Sequence, residues 1–460
     1  MKNLTLANIV KVCNGVWHGD EALLPEEVQS VTTDSRQVSP GCLFVPIVGE
    51  RADGHDFIPQ AAGSGALASL SEKELSDAPV SYIQVESSLQ AVKDIAAYYL
   101  EQLGIPVVGV TGSAGKTSTK EMIASVLAQK YQTLKTQGNF NNELGVPLTV
   151  FRLRDEDQIA VIEMGINHFG EMSRLASITR PDTGVITNIG TAHLEFLGDR
   201  DGILRAKTEM LDYIRPGGHI VLNGDDDKLR TVRESHGIRP VFYGLDPKND
   251  VYADNVKSHG LKGTSCRIHS GEDIFEVTVP IPGIHMVYNA LSAAAVGSIY
   301  GLSASEIRRG IETVQSIGGR FHLIETENLT IVDDCYNASP SSMMASLDVL
   351  KESEGRRVAV LGDMAELGEN ERALHREVGR HAAGCGIDSV ICVGDLCGDM
   401  AEEAENEARK NGLGTEVLHE KDRDSLIGSL REIIRPGDTV LVKASHCMGF
   451  EKIVEALKEL

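Results

Sequence analysis

Residues 107 to 119 read Val-Val-Gly-Val-Thr-Gly-Ser-Ala-Gly-Lys-Thr-Ser-Thr: an apolar run that breaks into a glycine-punctuated turn, followed at once by a lysine and hydroxyls. Gly112 and Gly115 allow the backbone to turn with its N–H groups inward, and a helix N-terminus beyond them adds partial positive charge. Lys116 can then reach terminal phosphates, and the Thr117 hydroxyl can ligate Mg²⁺. Only Ser113 and Ala114 separate the two glycines, fewer than in the common phosphate-loop pattern, and a tight structural turn is the plainer alternative. The context favours a nucleotide site built from Thr111, Gly112, Ser113, Ala114, Gly115, Lys116 and Thr117. A strand precedes the turn, and a helix is expected over 120 to 131, where Ile123, Val126, Leu127 and Tyr131 recur at helical spacing.

Two more groups stand at the ends of apolar runs. Ile159–Ile162 delivers Glu163, and Gly184–Ile189, read as a strand, leads through Gly190-Thr191-Ala192 to His193. In open α/β sheets ligands collect at the carboxyl ends of the strands. Alone, Glu163 reads as a cap and His193 as a structural histidine; together beside a phosphate loop they read as a divalent-metal site. Lys207, on the helix-like stretch around Arg205–Glu209, reads from spacing alone as a solvated lysine.

The elements that must position these groups divide the chain into three α/β units with boundaries at 1–104, 105–316 and 317–460. The first alternates short helices and strands: Leu6–Val12 helical, Val28–Thr33 and Gly41–Ile47 extended, a helix opening at Asp53, and Ala66–Leu70 extended. Its Asp34-Ser35-Arg36 and Asp53-Gly54-His55 are explicable as turn chemistry. The middle unit carries the phosphate loop, the polar stretch Gly138–Pro147, a small antiparallel patch over 249–282, an alanine-rich helix after Gly283 and a Ser303–Glu306 capping box. Ile317-Gly318-Gly319-Arg320 reads as a hinge. The third unit alternates strands at 330, 358, 390 and 439 with helices from Pro340, Glu371, Asp399 and Ser425, a doubly wound, Rossmann-like pattern. Asp333, Asp334, Asp363 and Lys443 fall at its strand ends.

Bulk composition narrows the chemistry. Of 460 residues, 44 are Lys or Arg and 67 Asp or Glu, a net charge of −23. That charge opposes non-specific binding to nucleic acid or anionic membrane, so an anionic substrate needs a local cluster of donors. No apolar run reaches the roughly 20 residues of a membrane span, and the N-terminus lacks a signal-peptide core. The eight cysteines are scattered without a CxxC pair, which fits a reduced cytoplasmic enzyme and gives no pattern for a structural metal.

Taken together, Thr111–Thr117, Glu163-Met164-Gly165, Thr187–Glu195 and Asp334-Cys335-Tyr336-Asn337-Ala338 resemble the motifs of the Mur ligase family, in order and across the whole chain. Gly138–Pro147 and Leu361–Gly368 resemble the member that adds D-alanyl-D-alanine. The Asp-Asn-Pro-Arg signature of the sister enzyme that adds the third amino acid is absent. The resemblance implies an N-terminal domain for the UDP end of UDP-N-acetylmuramoyl-tripeptide, with Ser35, Arg36, Asn141 and Asn142 toward that substrate. It implies a central ATPase-type domain, with Asn289, Arg320, Asp334 and Asn337 around the nucleotide. It further implies a C-terminal domain that receives the dipeptide, with Asp363, Lys443 and His446 toward it. Thr117, Glu163, His193 and Lys207 are implied at Mg²⁺, with a pair of ions expected, and Lys207 as a carbamate, which turns a cation into an anionic ligand. Lys116, Glu163, His193 and Lys207 then carry the chemistry. ATP converts a peptide carboxylate into an acyl phosphate, and the dipeptide amine displaces phosphate. A cytoplasmic monomer is expected, with no nucleic-acid partner and no membrane insertion.

Two rivals stand beside this reading. A folylpolyglutamate-type ligase shares the ATP unit but leaves the first hundred residues unexplained; a P-loop ATPase or regulatory module would use nucleotide binding only to move domains. One position departs from the resemblance: after Lys443 the pattern has Gly-Ser-Arg where this chain has Ala444-Ser445-His446. His446 either holds an anion in its protonated form or caps the final helix.

Overall fold

The computed structural model describes residues 1–49, 52–191 and 194–460. His193 therefore lies outside the described residues. The chain forms two compact units, residues 1–111 with 130–185 and 208–219, and residues 112–129 with 186–207 and 220–460.

The first unit holds a five-stranded sheet of β1 (Val16–His18), β2 (Ser30–Thr32), β3 (Cys42–Phe44), β4 (Ala68–Ser71) and β5 (Tyr82–Gln84), in the order β1-β5-β4-β3-β2. Four strands run parallel and β1 pairs antiparallel with β5. The helix Leu6–Val12 forms where expected, capped by the Thr5 hydroxyl accepting from Asn8 N–H at 3.2 Å. β1 and β5, three residues each, and the helix Ser88–Leu103 are additions to the sequence reading. That helix starts at the Ser87 cap, buries Ala91, Val92, Ile95, Ala96, Tyr99 and Leu100, and ends at Gly104 with φ 64°. The same unit carries β6 (Val107–Thr111), β7 (Thr133–Lys135), β8 (Ile159–Glu163) and most of β9 (Thr183–Ile186). β6 and β7 flank β8 in parallel, and β6 and β8 are buried along their whole length, as continuous apolar runs require.

In the second unit the helix after the phosphate loop spans Lys116–Leu127, four residues earlier than its apolar period suggested. Gly115 starts it in the left-handed region at φ 76°, and the polar first turn contributes nothing to a hydrophobic count. Tyr131 lies beyond it. Two helices, Ile284–Ile299 and Ala304–Glu312, pack against this one; the second begins at the expected Ser303–Glu306 capping box. A Cβ on Gly310 would lie 2.4 Å from the Val126 Cα, so glycine is what permits the close approach. The strand expected to reach Ile189 stops at Ile186, because Thr187 and Asn188 turn to bind the phosphate loop.

β10 (His219–Asn223), β11 (Val241–Gly244) and β12 (Val251–Ser258) pair in parallel, and β12, β13 (Thr264–Ser270) and β14 (Asp273–Val279) form the expected antiparallel patch. Beyond Arg320 comes a six-stranded sheet in the order β15-β16-β20-β17-β18-β19, from β15 (His322–Glu325), β16 (Thr330–Asp333), β17 (Arg357–Gly362), β18 (Ser389–Val393), β19 (Glu416–Glu420) and β20 (Thr439–Lys443). Five strands are parallel and only the edge strand β15 is antiparallel. β20, last in the chain, sits between β16 and β17, so the carboxyl ends carrying Asp333, Asp363 and Lys443 converge. Val358, Val360, Ile391, Val440, Val442 and Phe450 are fully or almost fully buried at the centre of this core.

Candidate active site

The phosphate loop is held from outside itself. Asn188 accepts the Ser113 N–H through its carbonyl at 3.1 Å and the Ala114 N–H through its side chain at 2.9 Å. The Thr187 hydroxyl donates to the Ala114 carbonyl at 2.6 Å. A Cβ on Gly112 would lie 1.8 Å from the Thr187 Oγ1, so this position admits only glycine. Lys116 Nζ donates to the Gly112 carbonyl at 2.9 Å, arching back over the loop. The helix it starts has no side-chain cap and no acidic residue in its first turn. Its N-terminal amides thus face the position where a phosphate gains both hydrogen bonds and the helix dipole. Buried Ser113 Oγ has no hydrogen-bond partner among the described residues, a donor that a phosphate oxygen would satisfy. Asn289 closes the far side, accepting from the Thr119 hydroxyl at 2.8 Å.

Lys207 is the most unusual cation of the second unit. It sits on the helix Arg200–Thr208, is 1 % exposed, and its Nζ has no hydrogen-bond partner among the described residues. Burial, and then the positive charge of Lys116, push its pKa well below that of an ordinary lysine. The burial corrects the solvated-lysine alternative: an exposed ammonium needs no such site, and burial disfavours the charged form.

In the first unit Glu163 ends β8, 1 % exposed. It accepts the Asn141 amide at 2.8 Å, and its N–H donates to the Thr136 hydroxyl at 3.0 Å. Asn142 is used locally, its Oδ1 accepting Leu144 N–H and Gly145 N–H at the start of the helix Gly145–Val150. Glu143, between helix and loop, bonds Lys93 Nζ at 2.8 Å and Arg174 Nε at 2.6 Å and so anchors the polar stretch. Arg36 lies back on Asp34 through Nε at 2.9 Å and Nη2 at 2.8 Å, and its side chain, then its N–H, hold the Asp34 carboxyl down at about 2. Ser35 donates to Gln60 at 3.0 Å. Asp53-Gly54-His55 is turn chemistry, with His55 held by Asp53 at 2.6 Å and accepting Glu72 N–H at 2.9 Å.

In the C-terminal sheet Asp334 gathers three donors: Lys443 Nζ at 2.7 Å, the Ser346 hydroxyl at 2.6 Å and Phe321 N–H at 3.1 Å. Lys443 also reaches the Asn337 carbonyl at 3.1 Å. Asp333 Oδ2 accepts Gly319 N–H at 2.7 Å, fixing the glycines before Arg320. Arg320 lies 4.1 Å from the Tyr336 ring centroid, and exposed His446 stacks on the same ring at 5.2 Å. The final helix, Glu451–Lys458, has Phe450 at its N-cap and no side-chain cap, so His446 does not cap it. Asp363 accepts Cys397 N–H at 2.8 Å. Sequence reasoning assigned no role to Tyr336, Ser346, Thr187 or Asn188. Tyr336, Thr187 and Asn188 stand inside the motifs it singled out, but only contact distances show what they hold.

These features define an ATP-dependent ligase of a known kind. Three family models match: a Mur ligase family catalytic domain over 27–110, a Mur ligase middle domain over 110–297, and a Mur ligase glutamate ligase domain over 319–446. The chain belongs to the Mur ligase family, with that family's three-domain α/β architecture. Within it, the UDP-N-acetylmuramoyl-tripeptide–D-alanyl-D-alanine ligase of Bacillus subtilis (strain 168) is 38% identical over 94% of this chain and 93% of its own length. The crystal structure of MurF from Acinetobacter baumannii superposes with a TM-score of 0.91 at 32% identity, covering 99% of each chain. MurF ligase from Thermotoga maritima in complex with ADP gives a TM-score of 0.82 at 29% identity, covering 94% of this chain and 97% of its own.

Proposed function

We propose that this protein is an ATP-dependent amide ligase that joins D-alanyl-D-alanine to UDP-N-acetylmuramoyl-tripeptide through an acyl phosphate, as a cytoplasmic monomer making peptidoglycan precursor. The observation that carries the reading is the uncapped helix after the phosphate loop, with Lys116 arched over the loop and Lys207 buried in the same unit. Full-length likeness to proteins named for that reaction supports the choice of substrates. The reading keeps residues 1–104 for the UDP substrate, 105–316 for ATP and 317–460 for the dipeptide.

A carboxylate is a poor electrophile, so the first step moves the γ-phosphoryl group onto the tripeptide carboxylate. Lys116 and the helix amides stabilise the charge that spreads over the moving group. The neutral amine of the dipeptide then attacks the acyl carbon, the bond to the phosphate oxygen breaks, and phosphate leaves. By the resemblance, Thr117, Glu163, His193 and Lys207 would hold Mg²⁺, which would supply charge neutralisation. By the resemblance Lys207 would be a carbamate, its amine having taken up CO₂ and released a proton to give an anionic ligand. Asp334, Lys443 and Arg320 fix the loop that carries Asn337 and Tyr336 for nucleotide and dipeptide.

A phosphate-release assay tests the proposal, run with lysine- and diaminopimelate-ending nucleotides. Release should require nucleotide-tripeptide and dipeptide together; release with ATP alone at the same rate would make the protein an ATPase module instead.

A further inference from the structure

A second place in the C-terminal sheet's helical layer has a ligand set of its own. Asp348 lies in the last turn of the helix Pro340–Lys351; His381 and Cys385 lie one turn apart at the end of the helix Glu371–Gly384. Their ligand atoms all lie within 4.8 Å of one another. His381 Nε2 is 2.8 Å from Asp348 Oδ1, and Cys385 Sγ is 3.5 Å from the same oxygen. We propose that Asp348, His381 and Cys385 form a binding site for a borderline transition-metal dication such as Zn²⁺, separate from the Mg²⁺ of the nucleotide.

Four observations support it. The donors are one imidazole nitrogen, one sulfur and one carboxylate oxygen, the set that Zn²⁺ and Co²⁺ prefer and that Mg²⁺ does not. With metal–ligand bonds of about 2.0–2.3 Å, tetrahedral ligands stand roughly 3.3–3.6 Å apart, so the sulfur–oxygen distance already fits and the imidazole must withdraw by about half an ångström. Two helices end here, and each directs the negative end of its dipole at the cluster. Entry is open, since the Asp348 side chain is 60% and that of His381 32% exposed.

A comparison inside the same domain sharpens the choice. Asp363, His375 and Cys397 also cluster. There His375 Nε2 accepts the Met364 N–H at 2.9 Å and Nδ1 donates to the Glu371 carbonyl at 2.7 Å, so neither nitrogen has a lone pair to give. In the Asp348 cluster two hydrogen bonds must yield, from His381 Nε2 and from Cys385 Sγ to the same Asp348 oxygen, and the metal takes their place. Cys385 binds as thiolate, its proton passing to solvent. Burial, then the Asp348 charge, pushes that thiol up to about 11, and Lys351 opposes them. Water completes the fourth position. The bound ion ties together the C-terminal ends of two helices, the first of which is N-capped by Ser339, directly after the Asp334–Ala338 motif.

The test is a Co²⁺ titration of the full-length protein in excess Mg²⁺. The expected result is a 1:1 near-ultraviolet sulfur-to-cobalt band with tetrahedral visible bands, and a Zn²⁺-dependent rise in melting temperature. Cys385→Ser should abolish the charge-transfer band. Asp348→Asn, a change at an exposed position that keeps the fold, should weaken Co²⁺ at least about tenfold, since even supporting residues of metal sites carry that much. No sulfur band in the wild type would overturn the proposal. So would a band that survives Cys385→Ser and disappears in Cys447→Ser, because Cys447 is the exposed thiol.

Discussion

The Lys443 ammonium and the Asp334 carboxylate meet at 2.7 Å with side chains only 4% and 13% exposed, so one ion pair joins the carboxyl end of β20 to the loop after β16. Removing one partner strands the other. Lys443→Met is expected to cost about 3–5 kcal/mol, the range for breaking a buried pair. The double variant with Asp334→Leu should lose less than the two single losses added together, read from urea midpoints at unchanged slope. Additive losses would mean that the two groups do not depend on each other.

Lys116→Ala should lower turnover 10²–10³-fold, about 2.7–4 kcal/mol of transition-state stabilisation by analogy with a lost oxyanion donor. Binding of the nucleotide-tripeptide should persist, because that substrate is assigned to residues 1–104. Calorimetry on the variant decides the matter: a lost nucleotide-sugar isotherm contradicts the division of labour.

Lys207→Met separates a reactive amine from a structural one. Because the folded pKa is depressed, the unfolded chain binds more protons up to the ordinary lysine range, and the buried amine makes stability climb with pH there. Removing the amine should remove that slope, so the variant should be at least as stable as wild type at pH 7 and gain less as pH rises. Activity should collapse, with partial rescue of Lys207→Ala by a short-chain carboxylate. Wild-type activity in either variant would end the carbamate assignment.

At His446 the expectation concerns KM for the dipeptide. If the imidazole holds an anion it does so only when protonated, whereas arginine keeps its charge throughout. The ratio of wild-type to His446→Arg KM should therefore rise with pH, a comparison in which the dipeptide's own titration largely cancels. A flat ratio leaves His446 as a stacking partner of Tyr336.

The sequence made the strand-end groups legible because apolar runs such as 159–162 and 440–442 are continuous and bounded by polar residues; within the C-terminal sheet the strand-end residues Asp333, Asp363 and Lys443 converge. It hid what depends on few residues or on distance. β1 and β5 are three residues long, too short for a period to register. The first turn of the helix at Lys116 is polar, so it reads as loop. Lys207 is buried, and nothing in Arg205–Glu209 distinguishes it from a solvated lysine. Asn141 and Asn142 stand side by side yet do different work, one reaching Glu163 and the other opening a helix.

The contact between Gly112 and Thr187 bears on how this protein can be recombined with its relatives. The loop's curvature is imposed by side chains that follow β9, so the stretch 111–117 is not a portable module. A chimera that imports the loop without Thr187 and Asn188 inherits the glycines but not the clamp that bends them. Crossovers that keep both segments from one parent should yield nucleotide-binding chains, and those that split them should not.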